Sequence, residues 1–257
     1  MNKNKINFRD FELMYLLTLK ELKVRYKNSF FGYLWTIANP FAYAMVYYFA
    51  FKVVLRVEIE NFSTYLLIGL FPWMWVSNSL GTTSSAFRTN ISFIKNTVIK
   101  PDLLILAGVI NEMVHFLFAI PILIIVLWYS DQTLFFSWFW QLPVLIAVQA
   151  MLIFPLGLIF GTFNIMVKDI EYLIGIATTL LFFLTPIVYP IGLVPDSYKF
   201  IYHLNPFVFL IDAWHKVFLN GYIPLSNLFF LLAFSLVLFP ISRIIYSQNI
   251  HKAAERL

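Results

Sequence analysis

Cysteine is absent from this 257-residue chain, which removes disulfides and thiolate metal sites from the structures open to it. Charge is scarce as well. Asp, Glu, Lys and Arg together make up 12% of the residues, against about 25% in soluble domains. None of the nine glycines precedes a lysine, so no phosphate-cradling P-loop is present, and no His-Glu-x-x-His pair offers a hydrolytic metal site. Any uphill work by this chain therefore needs ATP hydrolysis from another polypeptide. The first 29 residues hold seven Lys or Arg and no apolar run of signal-peptide length, so a cleavable leader is not expected.

What is abundant is apolar surface. Hydrophobic residues make up 61% of the chain and the mean hydropathy is +0.80, more than a soluble core can hide. Crossing a hydrocarbon layer of about 30 Å takes about 20 helical residues. Runs without Asp, Glu, Lys or Arg cover 30–51, 61–87, 132–167, 172–195 and 217–242, and the run 103–130 is broken only by Glu112. The expected fold is thus all-α and integral to a membrane. Six transmembrane helices are placed at 30–55, 62–86, 103–129, 138–167, 172–190 and 223–246, within one domain covering 1–257. Residues 200–211 are apolar but too few to cross, and Asn205-Pro206 interrupts them. The stretch 195–220 therefore reads as two short re-entrant helices, tolerable at that depth only where protein or a water-filled cavity covers them. A crossing there would make seven spans and put the termini on opposite sides. Charge favours six. With a cytoplasmic N-terminus, 14 of the 18 basic residues lie inside and only Lys52, Arg56, Lys199 and Lys216 outside, as the positive-inside rule requires. The net charge of +5 reflects this bias, and no nucleic-acid partner is expected.

Two further helices are expected on the cytoplasmic side. Residues 8–29 form an amphipathic interface helix, with Phe11, Tyr15, Leu19, Leu22 and Tyr26 on one face and Lys20, Lys23 and Lys27 on another. Such a helix anchors to anionic lipid or meets a partner. In the loop 88–100, Ile91, Ile94 and Val98 fall on one face of a short helix, which reads either as a solvated connector or as a handle for a soluble protein. Buried ionisable groups are few. Glu112 and His115 share a helix face, as do Asp212 and His215, and internal hydrogen bonds or ion pairs account for both. Gly157 and Gly161 form a small-xxx-small packing pair. Aromatic residues reach 19%, enough for interfacial belts and lipid-facing filler, or for flat surfaces along which a sugar chain can slide.

Specific segments carry a resemblance. The run Leu-Lys-Glu-Leu-Lys-Val-Arg-Tyr-Lys-Asn-Ser-Phe-Phe-Gly-Tyr-Leu-Trp-Thr-Ile-Ala-Asn-Pro at 19–40 resembles the start of ABC-2-type polysaccharide export permeases. So do Leu-Ile-Gly-Leu-Phe-Pro-Trp-Met-Trp-Val-Ser-Asn-Ser-Leu at 67–80 and the residues Asn90, Ile94, Lys95 and Pro101. Lys168-Asp169-Ile170, Thr185-Pro186-Ile187-Val188-Tyr189-Pro190, Val194-Pro195, Leu204-Asn205-Pro206 and Asn220-Gly221 follow in the family's order. Within the family the chain looks most like permeases that export lipopolysaccharide O-antigen. Phe31 stands where Leu is commoner, Lys168 replaces the usual Arg, and His215-Lys216 lie where Arg is expected.

The resemblance implies a homodimeric pore in the bacterial inner membrane with both termini cytoplasmic. Two copies of a separate ABC ATPase subunit would bind it, and an undecaprenyl-linked glycan would be its cargo. The chain itself would be no enzyme and hold no cofactor, with ATP and magnesium on the partner. Asn90, Ile91, Phe93, Ile94, Lys95 and Thr97 would couple to the ATPase. Trp35, Asn39, Tyr43, Phe182, Phe183 and Tyr189 would line the channel. Lys20, Lys23, Arg25 and Lys27 would meet the lipid pyrophosphate or headgroups. Teichoic acid, capsule, lipid or drug remain alternative cargoes. A membrane enzyme acting on a polyprenyl lipid through Asp212 and His215 is the reading from another class.

Overall fold

The computed structural model describes residues 8–26, 32–56, 59, 61–96 and 100–256, and among these it is helical with no strand. Helix α1 (Phe8–Tyr26) precedes a single 3-10 turn, Gly32–Leu34, which leads into α2 (Trp35–Tyr48) and a π-type continuation, Phe49–Val54. Then come α3 (Phe62–Thr89), the short α4 (Ile91–Asn96), α5 (Asp102–Tyr129), α6 (Trp138–Met166) and α7 (Ile170–Phe183). The chain ends with α8 (Asp196–Leu204), α9 (Pro206–Asn220) and α10 (Leu225–Arg256). By length and composition, Asp102–Tyr129, Trp138–Met166 and Leu225–Ile250 are each apolar and long enough to cross a bilayer, whereas α7 is apolar but only 14 residues long. Large apolar side chains cover the outside, including Trp128, Tyr129, Phe139 and a 94% exposed Phe136. Such a surface requires lipid as solvent.

Helix α3 is the hub. It packs against α2, α5, α6, α7 and α9, while α6 also packs along α10. Between equally apolar solvent and side chains, helix association depends on close van der Waals fit, and small residues permit it. Thr83 is fully buried on α3 among three glycines. A Cβ added at Gly157 would stand 2.6 Å from the Thr83 hydroxyl oxygen, one at Gly161 2.9 Å from the Thr83 carbonyl oxygen, and one at Gly108 3.1 Å from the Thr83 methyl. Polar side chains pin the same helices. The Gln149 amide donates to the Pro72 carbonyl at 2.9 Å, and its oxygen accepts from the Trp214 indole at 2.7 Å. The Asn164 amide donates to the Ser84 carbonyl at 2.9 Å.

The ends of α9 follow from its sequence. Asn205 caps it, its side-chain oxygen accepting from the Phe207 amide at 3.0 Å, and Pro206 fills the first position, where no donor is required. Gly221 stops it at φ +73°, where the Phe135 ring leaves no room for a side chain. Three side chains from the start of α6 then serve the terminal carbonyls. Trp138 donates to Val217 at 2.8 Å, and Ser137 and Gln141 donate to Gly221 at 2.9 and 2.8 Å, which occupies acceptors that a helix end leaves open.

Helix α7 ends at Phe183, short of residue 190, where the apolar run suggested it would finish. Pro186 and Pro190 explain the difference, since proline disfavours helical geometry in the residue before it and supplies no donor. The irregular stretch is nonetheless buried at Thr185, Ile187 and Val188. Its polar groups find partners: the Asn205 amide donates to the Leu184 carbonyl and to the Thr185 hydroxyl at 3.2 and 3.0 Å. The Tyr65 hydroxyl reaches the carbonyls of Pro186 and Tyr189, each at 3.2 Å. Helix α1 turns Leu17 and Thr18 toward the bundle, where it docks on α5, and leaves Tyr15 of the apolar stripe 62% exposed.

Gly161→Ala should destabilise the detergent-solubilised protein by about 1–3 kcal/mol, because the new methyl meets rigid backbone. Gly175→Ala, with nothing within 4 Å of the added atom, should leave the melting temperature unchanged, and thermal unfolding of the two variants checks the contrast.

Candidate functional site

A groove runs between α2, α3 and α7. One end is aromatic, lined by Tyr43 and Tyr47 of α2, Trp73 and Met74 of α3, and Phe182 and Phe183 of α7, with a volume of about 190 Å³. The rings form a chain. Tyr43 stacks on Tyr47 with centroids 6.4 Å apart, Tyr47 on Phe182 at 4.9 Å, and Phe182 meets Phe183 edge-on at 5.1 Å and Trp73 at 6.3 Å. The other end, about 320 Å³, is polar, lined by Ser77, Asn78, Gly81 and Thr82 of α3 and by Glu171, Ile174, Gly175 and Thr178 of α7. Ser77, Asn78 and Thr178 belong to both ends, so the two make one continuous furrow.

Helix periodicity explains this composition. Positions 77–78 and 81–82 on α3, and 171, 174, 175 and 178 on α7, recur at three- and four-residue intervals and so lie on single faces. Several hydroxyls spend their proton on their own helix: Thr82 donates to Asn78, Thr178 to Ile174 and Thr179 to Gly175, at 2.8–2.9 Å. Their lone pairs therefore point outward as acceptors in an otherwise apolar bundle. Among the described residues the furrow is lined by one carboxylate, Glu171, and by no Lys or Arg. Flat rings beside neutral acceptors suit a ligand with apolar C–H faces and many hydroxyls, and none of the described lining residues is a nucleophile with an adjacent base.

Of the residues singled out in the sequence as channel-lining, the structure brings Tyr43, Phe182 and Phe183 together in this furrow. Asn39 and Trp35 lie one and two turns before Tyr43 on the same face of α2, all three exposed. Tyr189 lies beyond the end of α7, where its hydroxyl donates to the Phe183 carbonyl and pairs with the Tyr202 hydroxyl at 2.6 Å. Tyr47, Trp73, Asn78, Thr82, Glu171 and Thr178 were not singled out. The Ser77–Ser79 and Thr82–Ser85 clusters within an apolar run were the signal that could have found the α3 contribution.

The expected coupling residues sit at the junction of α3 and α4. The Asn90 side-chain amide donates to the Ala86 carbonyl at 2.9 Å and closes α3. Ile91 is half-buried, Lys95 is exposed, and Ile94 packs on a second apolar core made by Leu17, Phe87, Leu104, Ile105, Leu158 and Ile165. Lys20 and Lys23 are exposed on α1. Lys27 and Thr97 lie outside the described residues, as do the side chains of Arg25 and Phe93. Asp212 and His215 are engaged separately. Asp212 pairs with Lys216 at 2.7 Å and accepts from Asn227 at 2.7 Å. The buried His215 ring stacks on Tyr65 with centroids 3.9 Å apart and has Nε2 3.0 Å from the Tyr65 carbonyl oxygen. This arrangement is that of an ion pair and a packed ring, which weakens the enzyme reading. At the start of α8, Lys199 sits 2.6 Å from Asp196 and holds its exposed carboxyl below the usual carboxylate range.

Comparison with known proteins agrees with this architecture. The chain is 36% identical to the O-antigen export system permease protein RfbA of Klebsiella pneumoniae, over 96% of this chain and 95% of that one. It is 28% identical to the protein of the same name from Myxococcus xanthus, over 95% of both. With the polysialic acid transport protein KpsM of Escherichia coli it shares 24% identity, over 86% of this chain and 87% of that one. Residues 12–219 match the ABC-2 type transporter family, and this chain is a member of it.

Proposed function

We propose that this chain is the permease subunit of an ATP-driven exporter that moves an undecaprenyl-linked, O-antigen-like polysaccharide out of the cytoplasm. The observation that carries the reading is the furrow itself. It joins an aromatic wall to a polar one, lies open along the side of a single chain, and occurs in a protein whose relatives are named for O-antigen export and polysialic acid transport. Aromatic rings hold sugar faces weakly and without fixing position, which suits a long polymer that must slide. Two identical copies facing one another would close the furrow into a conduit, with Trp35, Asn39, Tyr43, Phe182 and Phe183 toward its axis and Tyr189 at its outer end.

In this reading α2, α3, α5, α6, α7 and α10 make six crossings of the bacterial inner membrane and leave both termini in the cytoplasm. Helices α8 and α9 return within the outer leaflet. Helix α1 lies at the inner surface, its exposed Tyr15 and Leu16 in the lipid boundary and Lys20 and Lys23 toward headgroups or the carrier pyrophosphate, with Arg25 and Lys27 continuing that basic run. The segment from Asn90 to Thr97 seats in an ABC ATPase subunit, two copies of which supply the hydrolysis. Half-buried Ile91 and Ile94 anchor it to the bundle, and exposed Lys95 faces the partner.

Deletion of the gene should remove surface glycan, and the purified chain should carry an ABC ATPase with it. Retention of the glycan together with nucleotide hydrolysis stimulated by small amphiphiles would favour a drug or lipid pump instead. Since the chain has no cysteine, cysteines introduced singly report sidedness cleanly, and one placed near residue 250 should react only from the cytoplasm. Tyr47→Ala removes the ring between Tyr43 and Phe182. Aromatic pairs contribute about 0.5–1.5 kcal/mol, so glycan export should fall roughly 2- to 10-fold while the complex still hydrolyses ATP. Replacing Phe93 and Ile94 together by Asp should abolish export and leave hydrolysis running, measured as phosphate released per glycan delivered.

A further inference from the structure

Below the furrow, one ion pair ties together helices that otherwise have little to do with one another. Asp102 is the first residue of α5, directly after Pro101, where the chain returns from α4. Its Oδ2 lies 2.5 Å from a guanidinium nitrogen of Arg243 on α10. Helices α5 and α10 do not pack extensively on each other; each leans instead on α6. The guanidinium is also held from two other directions. It lies over the Phe239 ring of its own helix at 5.3 Å and over the Phe154 ring of α6 at 5.7 Å. One turn further along α10, the Tyr246 ring packs with its centroid 5.9 Å from that of Phe87, near the end of α3.

Three physical points give this cluster a direction. The Asp102 carboxylate is 14% exposed, so leaving it without its cation would strand a charge in a poor dielectric. Its second oxygen, Oδ1, is buried with no hydrogen-bond partner among the described residues, so the carboxylate relies on Arg243 there. The guanidinium is planar and fits between rings in a way that an ammonium does not. In the sequence only five residues separate Asn96, the end of α4, from Asp102, and a displacement that carries Asp102 along must move Arg243 or break the contact.

We propose that Asp102 and Arg243 are a positioning pair that carries movement of the α4 segment into α10, so that the cytoplasmic end of the bundle shifts as a unit when the ATPase acts. The proposal rests on the permease reading above. Neither residue touches cargo or nucleotide, and their part is to convert motion at one edge of the chain into rearrangement across it.

The test uses the whole complex with its ATPase in vesicles. Asp102→Asn and Arg243→Gln should each raise the ATP consumed per glycan exported about tenfold, with the complex eluting intact. The double variant should be no worse than either single one, as expected for groups that act as a unit. Arg243→Lys, which keeps the charge and loses the plane, should show a smaller rise. An unchanged ratio, multiplying effects in the double variant, or hydrolysis and export falling together with loss of assembled complex would each overturn the proposal. A second readout does not need export. Spin labels at cysteines replacing the exposed Ser92 and Ser247 should keep a constant separation on ATP binding in the otherwise unaltered complex, and the separation should change in Arg243→Gln. Separations that behave alike in both would sink the positioning pair. Absence of export from the unaltered complex would count against the permease reading alone.

Discussion

Everything in this bundle depends on how closely α3 can approach its neighbours. In lipid there is no gain from hiding one apolar helix behind another, so contact rests on dispersion and on the few hydrogen bonds that cross between helices. Thr83, lodged among Gly108, Gly157 and Gly161, sets that approach on two sides at once. The Gln149 side chain then locks the register by bonding α3 through Pro72 and α9 through Trp214. With α3 fixed against α5 and α6, its remaining face is free to form one wall of the furrow. Its aromatic end and its hydroxyl end come from successive turns of the helix, Trp73 and Met74 first and then Ser77, Asn78, Gly81 and Thr82.

Much of this was legible in the sequence, because membrane helices announce themselves by length. The starts and stops of α5 and α6 fall within a residue of the spans placed at 103–129 and 138–167. The break at Asn205-Pro206 was visible as an interruption of the apolar run, and the structure adds that Asn205 caps α9 and Gly221 stops it. The Gly157–Gly161 pair was recognisable as a packing device, although its partner, Thr83, was not. The end of α7 was misjudged because an apolar run does not distinguish helix from buried irregular backbone. Only Pro186 and Pro190 carried that information.

The furrow was only partly legible. Aromatic content suggested that rings were available, and the family likeness pointed to α2 and α7. Which rings meet is a question of helix rotation, and among the residues of an all-apolar helix the sequence contains little to decide it. Tyr47 shows the difficulty. It lies four residues from Tyr43 and was passed over, yet it is the ring that stacks between Tyr43 and Phe182. The polar half is the opposite case, since a run of Ser, Thr and Asn inside an apolar stretch stands out in the sequence, and packing accounts for Thr83 within it.

The shortness of α7 has a consequence for the wall it forms. Fourteen residues rise only about 21 Å, roughly 9 Å less than the thickness of the hydrocarbon layer. The stretch from Leu184 to Pro190 takes over where the helix stops, and its Leu184, Pro186 and Tyr189 carbonyls are already engaged by Asn205 and Tyr65. The wall that begins as regular helix is thus completed by irregular backbone that can be buried there because its acceptors are satisfied from within the chain.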